Sequence, residues 1–433
     1  MTDPVAVAEP DEPRPRPWRL DTRPLRTSPD FRRIWSSGLI TYLGSMTTYV
    51  ALPYQIKELT GSLALAGLLS AVELVPIVVF GLWGGALADA LDRRRMVLAA
   101  EAAMLVLSGL LTLNALLPAP KTWVLFVVAG LFAMADSMQR PSLDAMIQNV
   151  VSHDQMAAVS ALGSIRYDVG AIAGPAFAGL VLTLGSTWLA YAFDVSTYVV
   201  SLAFLLRVRH VSVPAEGDVA SVRGIVDGLR YAWSRKDLLG TYAVDIVAMF
   251  FGMTTTIMPF VATVLDAPWA VGLLFAAPSV GSLAVSATSG WTAHVHRQGV
   301  AIALAAAGYG AAMTCVGFAP DIWVALVALA VAGGADMVSG IFRDMVWNQT
   351  IPSELRGRLA GVELLSYSTG PILGNARAGL LASATSVRFA IWSGGLLCIG
   401  ATAAATGLLR QFRSYDDRTS PHAAAQRRRR GGD

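Results

Sequence analysis

Apolar residues along the chain fall into runs of about 20, and short polar segments separate each run from the next. A helix of that length crosses roughly 30 Å of hydrocarbon, and a run that long does not suit a barrel strand. Because lipid accepts only helices and closed barrels, the pattern predicts an all-α membrane protein with twelve transmembrane helices. The predicted spans cover residues 33–56, 63–88, 96–117, 123–147, 158–184, 187–207, 238–264, 269–292, 299–318, 322–347, 359–384 and 387–410.

The second half of the chain repeats the first at an interval of 200 residues. The segment "ADSMQRPSLDAMIQN" starts at residue 135, and "ADMVSGIFRDMVWNQ" starts at residue 335. This register aligns Asp136 with Asp336 without a gap, and it also aligns Asp144 with Asp344. Matches of Ala and Gly are common by chance in an apolar chain, but two aligned acids are not. We therefore predict two pseudo-symmetric six-helix bundles whose fourth helices are equivalent.

Polar composition marks the ends and the middle of the chain. The first 30 residues hold seven prolines and five arginines without a short apolar signal segment, which predicts a disordered tail. The central stretch "VRGIVDGLRYAW" has apolar residues at helical spacing and predicts an amphipathic helix that connects the bundles. The predicted domains are a disordered cytoplasmic tail at 1–30, a first bundle at 31–210, a cytoplasmic linker at 211–237, a second bundle at 238–412 and an unstructured basic cytoplasmic tail at 413–433.

Charged residues make up 15% of the chain, against about 25% in soluble domains, and hydrophobic residues make up 54%. If the N-terminus is cytoplasmic, the polar segments that face outward hold three basic residues, Lys57, Lys121 and Arg388. Since cytoplasmic loops are enriched in Lys and Arg, this bias places both termini in the cytoplasm. The net charge of +3 then reflects membrane topology and gives no reason to expect a nucleic-acid partner.

The chain has few residues of the kinds that hold metals or build catalytic centres. Its two cysteines, Cys315 and Cys398, lie within apolar runs, where core packing is expected, and they form no metal-binding pattern. Five histidines without a His-Glu-x-x-His segment argue against a membrane-embedded enzyme. The lack of a Gly-x-x-x-x-Gly-Lys phosphate loop argues against an ATP-driven pump. We therefore expect neither a cofactor nor a metal.

The polar break after the second predicted span reads "GGALADALDRRRMVL". It resembles a cytoplasmic loop of the major facilitator superfamily, Gly-x-x-x-Asp-Arg-x-Gly-Arg-Arg, with matches at Gly85, Asp89, Arg93 and Arg94. Ala90 replaces the usual Arg and Asp92 replaces the usual Gly, so the turn and one salt bridge differ from the pattern. The resemblance implies that this loop latches the two halves together on the cytoplasmic side. A loop that only keeps positive charge inside is the alternative.

The fifth predicted span contains "GAIAGPAFAG", whose small residues allow close helix packing and whose proline allows a kink. It resembles the exporter signature of the same superfamily, with Ala178 in place of one glycine and matches at Gly170, Gly174, Pro175 and Gly179. Together with the spans, the repeat and the loop, this segment identifies the chain as similar to major facilitator transporters. The resemblance implies a binding cavity between two bundles, each built from inverted repeats.

Several segments resemble the superfamily branch of the bacterial enterobactin exporter. They are "ALPYQIKELTGS", "GGALADALDRRR", "NALLP", "SALGSIRYDVGAIAGPAFAGLV" and "LRGRLAGV", and the likeness runs from Pro29 to residue 410. The resemblance implies proton-driven export of a siderophore across the bacterial cytoplasmic membrane. Neighbouring branches export drugs, so efflux of drugs or macrolides is the second interpretation, and import of a nutrient is the third.

Charged side chains inside a span cost about 2.5–3.5 kcal/mol or more, so each one suggests a function or a buried partner. Asp136 in the fourth span lies roughly 10 Å from the cytoplasmic boundary, and Arg166 in the fifth lies at roughly 12 Å. Their similar depth on neighbouring helices predicts an Asp136–Arg166 pair, for which Arg140, one turn away, competes. A carboxylate that exchanges its Arg for a proton could couple proton uptake to cargo release, whereas a static ion pair would only fix packing.

The candidates for proton coupling or substrate binding are Asp136, Arg166, Asp168, Glu73 and Asp336. Two further intramembrane acids are Asp194 and Asp245. Arg166 would also attract an anionic or catecholate cargo. Aromatic residues that could line an amphipathic cavity, or else pack against lipid, are Tyr42, Tyr49, Tyr54, Trp83, Tyr167 and Trp347. We predict a monomer that exchanges protons for a small molecule by alternating access.

Overall fold

A computed structural model of the protein describes residues 21–90, 92–209 and 230–430. These three ranges fold into α-helices and short 3-10 turns, and none of their residues lies in a β-strand. The predicted all-α class is confirmed. Most of the predicted linker helix and the outer parts of both predicted tails lie outside the described ranges.

Six long helices, α1 to α6, form the first half of the described structure, and six more, α7 to α12, form the second. The first six are Pro29–Thr60, Leu63–Ala90, Arg93–Leu116, Thr122–Val150, Met156–Thr183 and Thr187–Leu205. The second six are Lys236–Gly252, Val271–Ala287, Gln298–Phe318, Ile322–Thr350, Ser353–Ala384 and Val387–Leu408. Their order and positions are consistent with the twelve predicted spans.

Ten helices in the described part of the chain are long and apolar enough to cross a membrane. The other two long helices, α1 and α11, have 32 residues each, which corresponds to about 48 Å of helix. Charged residues near their ends, such as Asp30 and Lys57 in α1, lower their mean hydropathy. Both helices pack inside the bundles against several of the ten, which is consistent with twelve membrane crossings.

The short polar breaks supply the signals that end one helix and begin the next. Gly61, with a φ of 61°, ends α1 in the left-handed conformation that glycine adopts without strain. The Asp92 side chain caps α3 by accepting a hydrogen bond from the Arg95 N–H at 3.0 Å. Asp321 caps α10 in the same way. Asp92, which departs from the superfamily loop pattern, therefore has a defined role in starting a helix.

The two halves repeat the same set of helix contacts. In the first half α1 packs against α5 and α6, α4 packs against α2 and α3, and α3 packs against α6. In the second half α7 packs against α11 and α12, α10 packs against α8 and α9, and α9 packs against α12. Adding six to each helix number converts the first set into the second, as the sequence repeat predicts. The halves meet through α2 with α11 and through α5 with α8, and these two contacts exchange under the same rule.

The bundles touch near one face of the molecule, which we call the distal face. Its loops are 61–62, 117–121, 184–186, 265–270, 319–321 and 385–386, and the opposite, terminal face carries the two ends of the helical array. A Cβ atom added to Gly67 of α2 would lie 2.8 Å from the Cα atom of Gly379 in α11. A Cβ atom added to Gly179 of α5 would lie 2.8 Å from the Cα atom of Gly272 in α8. Backbone atoms cannot move aside, so glycine at these positions permits the close approach of the bundles.

Helix α7 is interrupted near the distal face. It ends at Gly252, and the chain resumes as the short helix Met258–Val264. The Arg377 side chain of α11 donates hydrogen bonds to the carbonyl oxygens of Phe250 at 3.0 Å and Phe251 at 2.6 Å. The last carbonyls of a helix lack partners within it and carry partial negative charge, which a guanidinium stabilises. Helix α11 therefore completes the hydrogen bonding of the broken helix.

The N-terminal boundary differs from the prediction of disorder through residue 30. Residues Arg23–Thr27 are helical, and α1 already starts at Pro29. The Ser28 side chain caps α1 by accepting from the Phe31 N–H at 3.1 Å. Proline suits the first turn of a helix because its missing N–H would have no partner there. Some of the prolines that suggested disorder therefore mark helix starts.

The C-terminal boundary differs in a similar way from the predicted unstructured tail. Pro421–Arg430 is helical, and Tyr415 is buried. His296 Nδ1 lies 3.0 Å from Asp417 Oδ1, which ties this segment to the loop before α9. The buried tyrosine and the His–Asp contact supply interactions that the basic composition of the tail does not reveal.

Candidate functional site

Two adjoining cavities of about 450 and 510 Å³ lie among the helices. The terminal cavity lies in the first bundle and reaches Ile34 and Leu205 near the terminal face. The central cavity lies between the bundles, and its wall includes Leu274 and Met313 of the second bundle. The two cavities share four lining residues, Tyr42, Met46, Tyr49 and Tyr167. The shared wall joins the terminal cavity, which has several charged residues in its wall, to the central cavity, whose wall is mostly apolar.

Methionine and aromatic side chains dominate the wall of the central cavity. Its five methionines, drawn from both bundles, are Met46, Met249, Met253, Met258 and Met313. Tyr49 of α1 meets Phe275 of α8 edge to face, with ring centroids 5.9 Å apart. Flexible, polarisable thioethers adapt to ligands of different shape. The central cavity therefore suits a bulky apolar group of a ligand.

Asp136 and Arg140 form an ion pair in the wall of the terminal cavity, with Asp136 Oδ2 2.8 Å from Arg140 Nε. The two side chains are 46% and 63% exposed, so the cavity admits solvent to them. The predicted pairing of Asp136 with Arg166 is wrong. Residues four apart on one helix lie on the same face, so the Arg140 side chain contacts the Asp136 carboxylate without crossing to another helix.

Arg166 of α5 lies in the same cavity wall, where its guanidinium packs over Gly38 of α1. Among the described residues it has no ion-pair partner within 4.0 Å. The rings of Tyr42 and Tyr167 lie beside it in the cavity, with their centroids 4.5 Å apart. Arg166 forms no direct ion pair with a described residue, but it shares the cavity wall with Asp144, whose charge acts on it. A guanidinium in this position next to two phenol rings can bind an anionic, aromatic ligand.

The repeated position in the second bundle carries a different arrangement. Asp336 lines the central cavity, and its carboxylate lies 3.9 Å from Arg343 of the same helix. Arg343 is committed to a buried ion pair with Asp245 of α7, and the Ser366 hydroxyl donates to that carboxylate at 2.9 Å. Asp336 is therefore a partly exposed acid of the second bundle in the cavity wall, while Asp245 and Arg343 form a closed pair in its interior.

Two further acids are buried in the first bundle, and among the described residues their hydrogen-bond partners are neutral donors. Glu101 of α3, which the sequence analysis did not single out, is 2% exposed. It accepts hydrogen bonds from side chains of α1, α4 and α6, namely Thr41, Gln139 and Ser201. Asp194 of α6 is 0% exposed and accepts hydrogen bonds from Thr48 at 2.7 Å and Ser108 at 2.6 Å. Both acids border the terminal cavity.

The remaining predicted acids and aromatics are divided between the cavities and other surroundings. Glu73 of α2 lines the terminal cavity, whereas Asp168 of α5 lines neither cavity. Trp347 is buried elsewhere, where its indole N–H donates to Thr241 Oγ1 at 2.9 Å. Tyr54 also lies outside both cavity walls. The side chain of Trp83 is not among those described.

The predicted gating loop is only partly described. Gly85 and Asp89 lie within α2, and their side chains fall outside the described part of the structure. Arg93 begins α3. Arg94 donates to the carbonyl oxygens of Leu206 at 2.8 Å and Val208 at 3.0 Å, just after α6. Arg94 therefore ties α3 to α6 within one bundle, and the latch between bundles stays a prediction.

The residues of the exporter signature divide between two neighbours of α5. Gly170 and Gly174 face α1, where a Cβ atom added to Gly174 would lie 2.8 Å from the Leu43 carbonyl oxygen. Gly179 faces α8, as described for the distal contact. Pro175 lies between these contacts and lines the central cavity. The signature segment thus packs against α1 of its own bundle through one part and against α8 of the other bundle through another part.

The site is built from carboxylates, guanidinium groups, hydroxyls and phenol rings. Within the described ranges, no group of three or more His, Cys, Asp or Glu residues is placed to hold a metal ion. Sequence reasoning missed Glu101, Arg343 and Arg377. Each is a charged residue inside an apolar run, so a count of every such residue would have found them.

Comparison with protein families gives a match over nearly the whole chain. The model of the transmembrane secretion effector family, a group within the major facilitators, matches residues 21–429. The enterobactin exporter of Shigella boydii serotype 4 (strain Sb227) is 28% identical over 395 residues, which cover 88% of this chain and 93% of that protein. The enterobactin exporter of Escherichia coli O1:K1 / APEC is 27% identical over the same lengths.

Solved structures share the arrangement of the helices. A crystal structure of a mutant of the nucleoside transporter NupG aligns with a TM-score of 0.72 at 12% identity. The alignment covers 88% of this chain and 99% of that one. At this level of identity the similarity shows the fold, namely two six-helix bundles around a central space.

Proposed function

Because the chain belongs to the transmembrane secretion effector family of the major facilitator superfamily, we propose that it exports a siderophore in exchange for protons by alternating access. The chain is a multi-pass membrane transporter and not an enzyme, as its family and its curated relatives are transporters. The observation that carries the choice of cargo is the Arg166 guanidinium, which has no direct ion pair among the described residues and lies beside Tyr42 and Tyr167 in a cavity of the first bundle.

The positions of the contacts and of the cavities support an inward-open starting state for the proposed export cycle. Glycine contacts bring the bundles together near the distal face, while the terminal cavity reaches Ile34 and Leu205 near the terminal face. The bias of basic residues supports a cytoplasmic terminal face in a bacterial cytoplasmic membrane. A cargo would then enter from the cytoplasm and leave after the distal contact opens. This proposal needs one copy of the chain, since both bundles come from one monomer.

The cavity chemistry supports a small anionic and aromatic cargo. The cargo's negative charge would bind Arg166 and compete with Asp136 for Arg140, and its rings would stack on the two tyrosines. Loss of Arg140 would leave the Asp136 carboxylate without its ion-pair partner, and a proton could then take the place of that partner. Glu73, Asp168 and Asp336 stay candidates for the same coupling role.

The test uses everted membrane vesicles and enterobactin as the probe. We expect wild-type protein to load vesicles with enterobactin when the lumen is acidic, and we expect an uncoupler to stop loading. Arg166→Gln should lower the rate about tenfold or more, because a hydrogen bond to a charged group is worth about 1.5–3 kcal/mol. Arg388→Gln is the matched control, since Arg388 donates to the Ala319 carbonyl oxygen outside the cavities. Equal rates in Arg166→Gln and wild type would contradict the proposed role of Arg166.

Efflux of drugs or macrolides is the second candidate, and the five methionines of the central cavity favour it. A macrolide is large and mostly apolar, so it would depend on that adaptable wall more than on Arg166. Uptake of erythromycin by the same vesicles, insensitive to Arg166→Gln, would support this second function. Absence of enterobactin transport in that experiment would replace the siderophore proposal with it.

A further inference from the structure

Glu101 lies in the wall of the terminal cavity, almost fully buried, at the meeting point of four helices. Its Oε1 atom accepts a hydrogen bond from the Thr41 hydroxyl of α1 at 2.8 Å and another from the Ser201 hydroxyl of α6. Its Oε2 atom accepts from the Gln139 amide of α4 at 2.5 Å. Glu101 itself belongs to α3. The carboxyl group is therefore fixed in place by three neutral donors from three neighbouring helices.

A buried carboxylate without a cation is costly, and this one has no ion-pair partner within 4.0 Å among the described residues. Arg140, on the next position after Gln139, is engaged with Asp136 instead. A neutral carboxyl group keeps its hydrogen bonds without that cost. Uptake and loss of one proton at Glu101 therefore requires no ion pair to break, in contrast to Asp136.

The surrounding hydroxyls satisfy Glu101 in either charge state. Ser201 also lies 2.6 Å from the Ser37 hydroxyl, and either oxygen can donate in that contact. When Glu101 is ionised, Ser37 donates to Ser201 and Ser201 donates to Glu101. When Glu101 is protonated, it donates to Ser201, and Ser201 donates to Ser37. The number of hydrogen bonds is the same in both states, which favours a group that changes its charge.

Thr41 connects this carboxyl group to the cavity. Both residues border the terminal cavity, but Glu101 is almost fully buried whereas Thr41 is partly exposed. A hydronium ion in the cavity can give its proton to Thr41 Oγ1 while the original hydroxyl proton moves to Glu101 Oε1. One O–H bond breaks and one forms at Thr41, so the hydroxyl is regenerated and then rotates back.

We propose that Glu101 is a proton-binding site of the transporter, buried in the cavity wall, and that the partly exposed Thr41 hydroxyl is the path by which its proton enters and leaves. This inference rests on proton-coupled transport as the proposed function, but it assigns the proton to a residue other than the cavity-exposed acids. On the helices that contact Glu101, the ionisable groups lining the same cavity are Tyr42, Asp136, Arg140, Asp144, Asp194 and Tyr198. Asp194 shares this bundle, but its hydroxyl donors Thr48 and Ser108 are both buried, so it has no partly exposed hydroxyl like Thr41, and we assign it a structural role.

The test is independent of cargo. Purified full-length protein in lipid nanodiscs is subjected to a rapid pH drop, and the infrared carbonyl band of a newly protonated carboxyl group is followed. We expect Glu101→Gln to lack a band that wild type and Asp194→Asn both show. We expect Thr41→Val, which keeps the side-chain shape, to form the band roughly tenfold more slowly, as expected for loss of a proton-transfer group.

Matched variants separate the proton path from general damage. Thr41→Ser should restore the wild-type rate, because it returns the hydroxyl. Thr112→Val is the control, since that hydroxyl donates only to the Ser108 carbonyl oxygen of its own helix. A full-size band in Glu101→Gln would overturn the assignment of the proton site. A wild-type rate in Thr41→Val would overturn the assigned path.

Transport in the vesicles described above gives a second measurement. Glu101→Gln should lose loading driven by an acidic lumen while it keeps exchange of labelled for unlabelled enterobactin across the membrane. If wild type itself shows no proton-driven loading, the proposed function fails. If wild type shows it and Glu101→Gln keeps it, only the assignment of Glu101 fails.

Discussion

The two bundles share one helix arrangement but handle buried charge in opposite ways. In the first bundle, Glu101 and Asp194 are held by hydroxyl and amide donors. In the second, Asp245 is closed off with Arg343 in a buried ion pair. A buried ion pair resists changes of charge, whereas a carboxyl group among hydroxyls can accept them. The comparison indicates that the two halves kept one scaffold but diverged in how they hold buried acids, and the proton site proposed above lies in the first half.

The repeat register shows where the halves diverged. Position 343 holds Arg in the second bundle, and the equivalent position 143 holds Leu. Position 166 holds Arg in the first bundle, and the equivalent position 366 holds Ser. Each bundle therefore has an arginine that the equivalent position of the other bundle lacks. Arg343, on the fourth helix of the second bundle, faces a buried acid, and Arg166, on the fifth helix of the first bundle, faces an open cavity.

The largest expected effect comes from breaking the closed pair of the second bundle. Arg343→Met should lower the free energy of unfolding by about 3–5 kcal/mol, because it leaves the Asp245 carboxylate buried without a counter-ion. Thermal unfolding in detergent, followed by circular dichroism, measures the loss. The double variant Asp245→Asn with Arg343→Met should recover much of it. A single variant as stable as wild type would contradict the contrast between the bundles.

A second prediction concerns the two glycine contacts between the bundles, which the repeat makes equivalent. Gly67→Val and Gly272→Val should both separate the bundles near the distal face, because each added side chain meets backbone atoms of the other bundle. In a chain without its native cysteines, Ser279→Cys in the central cavity should then react faster with an impermeant thiol reagent added at the distal side. Gly109→Val, on α3, meets no atom within 4 Å and is the control. Faster labelling in only one of the two glycine variants would contradict the expectation that the two contacts are equivalent.

The smallest expected change in stability comes from the exposed pair of the first bundle. Arg140→Gln should change the free energy of unfolding by only about 0–1 kcal/mol, since both partners are partly exposed in the cavity. The same thermal unfolding measurement applies. A loss as large as that expected for Arg343→Met would show that the first bundle also depends on a fixed ion pair, and it would remove the distinction drawn above.

The sequence was sufficient for the spans, the repeat and the family because these depend on periodic or local signals. Runs of apolar residues mark helices, and the gapless register around Asp136 marks the equivalent fourth helices. The structure adds that the same register relates the two contacts between the bundles. Such information is distributed over many residues, so single departures such as Asp92 do not obscure it.

The partners of the charged residues could not be obtained in the same way. Depth along a helix placed Asp136 and Arg166 at one level, but it did not give the direction in which each side chain points. Arg140 takes Asp136 because both lie on one helix face, and Arg166 turns toward Gly38 instead. Side-chain direction depends on helix rotation and on neighbouring contacts, which the apolar runs of a membrane helix leave undefined.

The interruption of α7 has a mechanical consequence for opening the distal face. The carbonyl oxygens of Phe250 and Phe251 are bound by a side chain of α11, and the Asn375 side chain of α11 accepts a hydrogen bond from the Thr256 N–H at 3.3 Å. The joint in α7 is therefore braced from outside rather than by its own helical ladder. A tilt of α11 would therefore move both sides of the interruption together, because Arg377 and Asn375 of that one helix hold them.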